Sequence, residues 1–190
     1  MALLKLRNRA ITSMSEAFIY ELKIPLDRVA VLIGQKGDVK RQLETLTHAT
    51  INVDSQEGEV RLSGTDPLNL YALREIVRAI GRGFSPEIAQ LLLKQDYGYE
   101  QINILDYAAT KNAMLRLKGR VIGEEGKSRR TIEELSECFV SVYGKTVGLI
   151  GQLEWLPLAR RAIESLLAGS PHATVYRWLE RRRKEMRRPQ

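Results

Sequence analysis

A single cysteine, Cys138, stands among 190 residues, so no internal disulfide can staple the chain. Two histidines, His48 and His172, are too few to assemble a metal cluster with useful spacing, and neither metal nor cofactor is expected. Cys138 reads as a small buried apolar residue. No stretch approaches the roughly 18 uninterrupted apolar residues of a membrane span, and MALLKLRNRA carries arginines where a signal peptide would place its apolar run. These absences predict a soluble, cytoplasmic protein with no membrane partner. Acid is also in deficit, with 23 Asp and Glu against 30 Lys and Arg, a net charge of +7. Such a surface attracts polyanions. Arginine supplies 20 of the basic residues; its planar fork suits phosphates and bases, although the same bias suits a thermally stable surface. At 44% apolar the chain can build one ordinary core or two small ones.

What is present is a repeat. Residues 33–44, IGQKGDVKRQLE, align without gaps to residues 122–133, IGEEGKSRRTIE. Fourteen residues after its second glycine each copy enters a β-branched run, Ile51-Asn52-Val53 and Val140-Ser141-Val142. A turn follows, then an alternating strand, at residues 60–64 and 147–151, and a helical apolar pattern. Upstream, Phe18 to Pro25 and Gln101 to Leu105 read as strands, and Leu26 to Ile33 and Thr110 to Val121 as helices. Ser85-Pro86 and Ser170-Pro171 are read as starts of further helices, Ser as cap and Pro in the first turn. The pattern predicts two α+β domains at 15–85 and 97–169, a connecting helix at 86–96 and a basic C-terminal helix at 170–190. Val175, Trp178 and Leu179 give that last helix an apolar face that predicts docking on the second domain.

A bare Gly-x-x-Gly is weak, since 14 glycines produce roughly one such pair by chance. Gly148-Leu149-Ile150-Gly151 has the spacing but lies in a strand pattern, and no binding role is assigned to it. The other two join helices. There, paired glycines permit a tight turn that a phosphodiester chain can approach, and the following helix N-terminus offers N–H groups to phosphate oxygens. Unstacked bases would then lie between the preceding helix and the following strand, with Val29, Ala30 and Ile33 against Ile51 and Val53 in the first copy. Gly126-Lys127-Ser128 ends like a nucleotide-binding P-loop, but Val121 occupies the position its first glycine needs, and no histidine has a nucleophile frame, so no enzymatic activity is expected.

The repeated Ile-Gly-x-x-Gly frame and its order of elements resemble the type I KH family, with a βααββα unit of three strands packed on helices. Residues 120–130, 142–146 and 169–176 are similar to the archaeal two-KH relatives of the eukaryotic Partner-of-Nob family. The resemblance implies single-stranded RNA binding in small-subunit ribosomal RNA maturation near its 3′ end. It also implies the alpha subunit of initiation factor two and a maturation endonuclease as partners. The residues expected at RNA are Arg28, Gly34, Gln35, Lys36, Gly37, Lys40 and Arg41 in the first copy. In the second they are Lys118, Arg120, Gly123, Glu124, Glu125, Gly126, Lys127, Ser128, Arg129 and Arg130, with Ser170 and His172 beyond its last helix. Glu124 and Glu125 depart from the basic residue that a KH loop commonly carries; the flanking cations keep the neighbourhood positive. The alternative is a KH-fold scaffold that binds a protein partner and little RNA.

Overall fold

The computed structural model describes residues 17–187; residues 15 and 16 of the expected first domain and 188–190 of the expected tail lie outside them. Strand β1 (Phe18–Lys23) stops before Pro25, whose fixed φ leads into α1 (Leu26–Ile33). A 3-10 turn over Gln35–Gly37 links α1 to α2 (Asp38–Thr47), followed by β2 (Thr50–Asp54), β3 (Glu59–Gly64) and α3 (Pro67–Gly81). Asp66 starts α3 by accepting from the Leu68 and Asn69 amides, with Pro67 in the first turn. A short α4 (Pro86–Ala89), capped by Ser85, and a 3-10 segment over Gln90–Leu93 form the connector.

The second copy repeats the order: β4 (Tyr97–Asn103), α5 (Lys111–Ile122), a 3-10 turn at Glu124–Gly126, α6 (Lys127–Ser136), β5 (Phe139–Tyr143), β6 (Thr146–Gln152) and α7 (Leu156–Leu167). Each copy forms the expected three-stranded sheet; both are antiparallel, ordered β1-β3-β2 and β4-β6-β5. The strand expected at Gln101 to Leu105 lies earlier, because Asn103 accepts from the Leu105 amide and folds Ile104–Asp106 into a 3-10 turn. Helix α8 (His172–Met186) follows Pro171, whose carbonyl receives the first helical bonds; Ser170, expected as the cap, makes no side-chain cap there. Val175 and Leu179 are buried in the second core with Val121, Ile132, Leu149 and Ile163, so α8 is part of that unit's packing and the unit runs past residue 169. Cys138 is buried there too, and burial pushes its thiol up to about 12.

The two copies use the outer faces of their sheets differently. In the first, Glu21, Arg61 and Asn52 lie in register, as do Lys23, Glu59 and Asp54, and the face is polar. In the second, Tyr99, Gly148, Ile150, Ser141 and Tyr143 share a face that packs on the end of α3. Ile150 is fully buried in the first domain's core, Ser141 Oγ donates to the Arg82 carbonyl at 2.9 Å, and the Tyr143 hydroxyl donates to the Asp27 carboxylate. Gly148 makes the seam possible, since a Cβ there would meet the Phe84 ring at 2.8 Å. Thus the Gly148–Gly151 segment is structural.

Candidate nucleic-acid interface

Each first helix carries an apolar stripe that lies mostly outside the core. Leu26, Ala30 and Ile33, at i, i+4 and i+7, run along α1 with Leu26 and Ala30 exposed and Ile33 half-buried; Leu115, Gly119 and Ile122 hold the matching exposed positions on α5. Both stripes lead straight into the glycine loops. Val29, expected in the helix wall, is turned into the core, as is Ile51 in the strand wall; Val53 and its counterpart Val142 are half-buried. Sequence reasoning missed Leu26, Leu115 and Gly119, although their helical spacing on the side away from the core was the signal.

The opposite wall is an edge strand pinned from the helix. Glu44 of α2 accepts the Ile51 amide of β2 at 2.8 Å, and Glu133 of α6 accepts the Val140 amide of β5 at the same distance. Alternation along an edge strand then turns the amide and carbonyl of Val53 and Val142 outward as well, where base edges could be read by backbone. These glutamates occupy the one acidic position shared by the two aligned segments.

The loop glycines have two distinct duties. Gly34 (φ 76°, ψ 177°) and Gly123 (φ 73°, ψ 175°) adopt a backbone open essentially to glycine alone, and a Cβ on Gly123 would lie 2.6 Å from the Ser128 backbone nitrogen and Cβ. Gly37 and Gly126 are left-handed (φ 80° and 78°) but face open space. Beside each sits a guanidinium: Arg41 Nη1 lies 3.8 Å and Arg130 Nη1 4.0 Å from where a Cβ would stand. The exposed residues between the glycines are Gln35 and Lys36 in one copy, Glu124 and Glu125 in the other, with Lys36 and Glu125 also at positive φ.

The first turns after the loops differ. Asp38 begins α2, and its carboxylate accepts the Val39 amide at 2.7 Å, so the chain's own anion occupies that helix N-terminus. The equivalent of Asp38 is Lys127, exposed at the start of α6. Ser128, expected at the RNA, is instead buried behind the loop in the position of Val39, with its hydroxyl unpartnered among the described residues. Lys40 and Arg129 stand 3.8 Å from the strand-pinning Glu44 and Glu133, while Lys118 is half-buried on α5.

Four residues expected at RNA are taken up by the fold. Arg28 donates to the Ile80 and Phe84 carbonyls at 2.8 and 2.6 Å, fastening α1 to the end of α3. Arg120 does the same for α5, donating to the Leu166 and Ser170 carbonyls at 3.1 and 2.6 Å, and His172 Nε2 lies 2.8 Å from the Arg120 carbonyl. Arg28, Arg120, Ser170 and His172 therefore form clasps behind the grooves. Replacing Arg120 with Ala should cost about 2 kcal/mol in urea unfolding, since hydrogen bonds from a charged donor are worth about 1.5–3 kcal/mol each and the stranded carbonyls regain part of that from water. Lys cannot span both carbonyls and should rescue little. In the tail, Arg183 and Arg187 pair with Glu137, and Arg182 pairs with Glu185, whereas Arg181 and Lys184 have no ion-pair partner among the described residues.

Known proteins resemble this chain in sequence and fold. Residues 98–184 match the model of a eukaryotic-type KH domain, type I, named for the second KH domain of PNO1, and residues 19–79 match the general KH domain. The chain is 51% identical to a KH domain-containing protein of Methanocaldococcus jannaschii over 88% of its own length and 75% of that protein. It is 34% identical to the pre-rRNA-processing protein pno1 of Aspergillus fumigatus over 66% of its length, spanning about half, 52%, of that protein. A chain from the crystal structure of the a/eIF2alpha–aDim2p–rRNA complex of Pyrococcus horikoshii superposes with a TM-score of 0.84 at 48% identity, covering 89% of this chain and 96% of that one.

Proposed function

We propose, for a chain that belongs to the two-KH-domain family of the Methanocaldococcus jannaschii KH domain-containing protein and the Pno1 proteins, that it binds single-stranded ribosomal RNA during small-subunit maturation, near the 3′ end of that RNA. The observation that carries the reading is the twice-built groove: an exposed apolar helix stripe, a pinned edge strand and a glycine turn with an arginine over its second glycine. Bases stack on the stripe and present their edges to Val53 or Val142, while the phosphates cross the glycines. The second domain is the principal reader, because Lys127 leads its recognition helix where Asp38 blunts the first. The rRNA and initiation factor alpha in the Pyrococcus complex support ribosomal RNA and that factor as partners here. A maturation endonuclease acting on the same RNA end would complete the set, with this chain holding substrate and catalysing no step.

Single strands should bind more tightly than a duplex of the same sequence by at least tenfold in a fluorescence-anisotropy titration, since the groove admits only unstacked bases. Equal affinity for a fully paired stem would discard the reading and leave the scaffold alternative.

A further inference from the structure

Outside both grooves, α3 carries Arg74, Arg78 and Arg82 at i, i+4 and i+8, a row about 12 Å long at 1.5 Å per residue. Arg82 is the residue that caps the helix. The row lines a cleft of about 390 Å³ between the domains, closed by Lys23 and Pro25 on one side and by Gln101 of β4 on the other. Aromatic rings flank two of the three arginines. Arg74 lies 5.1 Å from the Tyr20 ring and 5.6 Å from the Tyr71 ring, and Arg78 lies 5.6 Å from Tyr99. Glu75, buried at 9% exposure, accepts two 2.9 Å hydrogen bonds from Arg78 and lies 3.7 Å from Arg74.

A guanidinium held over a ring loses less freedom when a phosphate arrives; Arg74 keeps its outer N–H groups for that, whereas Arg78 already spends Nη1 on Glu75. Three arginines and Lys23 line the cleft against Glu21 alone, and they still outnumber the acids when Glu75 beside Arg78 and Glu57 beside Lys23 are counted, which leaves it positive. The second copy has no such row. Its Arg160 is held by Glu100 at 2.9 Å and Glu164 at 2.8 Å, and Arg161 lies over Trp178 at 4.9 Å. The cleft also adjoins a groove, because the Arg82 carbonyl is bonded to Ser141 on β5, the strand wall of the second domain.

We propose that this arginine row is a second phosphodiester track, which takes the backbone of an RNA strand extending beyond the second groove. The track rests on the RNA-binding reading and adds to it a footprint longer than the groove itself. It recognises charge and carries no base specificity.

The test compares wild type with Arg74→Gln/Arg82→Gln, which spares the Arg78–Glu75 pair, on two single strands. One is about four nucleotides long, enough to fill one groove; the other is about 20. The track predicts that the variant keeps wild-type affinity for the short RNA and binds the long one more weakly. Its log–log salt slope on the long RNA should be shallower by about 1.4, roughly 0.7 for each phosphate the variant no longer neutralises. Unchanged affinity and slope on the long RNA would overturn it. So would equal losses on both RNAs, which would place the damage in the groove. Selective loss of an acidic peptide's binding, with RNA binding intact, would overturn it in favour of a protein partner. Failure of wild-type protein to bind either RNA is a different result, and it removes the parent reading.

Discussion

Gly126→Asp should abolish specific binding to a small-subunit RNA 3′-end oligonucleotide, lowering affinity at least a hundredfold, while circular dichroism and thermal unfolding stay near wild type. The position faces open space, so the new side chain meets no backbone; the cost is the left-handed φ of 78°, about 1–2 kcal/mol for a residue with a Cβ and less for Asp, which tolerates it. In return a carboxylate stands beside Arg130, where the phosphate must cross, and pairs with the guanidinium that would hold it. Gly37→Asp places the same charge beside Arg41, yet should cost the full-length protein less than tenfold. That loop already carries the Asp38 carboxylate on the helix N-terminus behind it, so it has less phosphate binding to lose. Affinities of the two variants and the double variant, measured side by side, separate the domains. A larger loss from Gly37→Asp would reverse their assignment.

Gly123→Ala is expected to act on stability instead. Its φ and ψ lie in a region nearly closed to other residues, and the added methyl would sit 2.6 Å from the Ser128 nitrogen and Cβ. Backbone strain of about 1–3 kcal/mol and overpacking of similar size should together destabilise the chain by about 2–6 kcal/mol in urea unfolding. Against a typical total of about 5–15 kcal/mol, that is a large share. Gly126→Ala, three residues on, should cost about 1 kcal/mol. Equal costs for the two would show that the loop relaxes around its first glycine.

The repeat made the architecture legible because its two copies share register, so each ambiguous segment could be read against its partner. The order of elements and the loop-to-helix junctions followed from that. The site was only partly legible, for a physical reason: an arginine near a glycine loop looks the same in sequence whether it faces a phosphate or a carbonyl. Arg28 and Arg120 turn backward onto the ends of α3 and α7, and they do so from different positions of the repeat frame, six residues before Gly34 and three before Gly123. Aligning the copies could not pair them. Ser128 is buried because its register matches the apolar Val39. The seam between the domains had a faint signal in β6, where Thr146 to Gly151 are buried on both faces; a half-exposed antiparallel strand would alternate.

The most direct measurement is photo-cross-linking of a thiouridine-containing single strand to the full-length protein, with the modified residues mapped by mass spectrometry. The grooves predict cross-links on the stripe and edge strand of the second domain, around Leu115 to Arg130 and Phe139 to Val142, with a weaker set around Leu26 to Arg41 and Thr50 to Asp54. Cross-links confined to α8 or the outer face of the first sheet, with both glycine loops unmodified, would contradict the account.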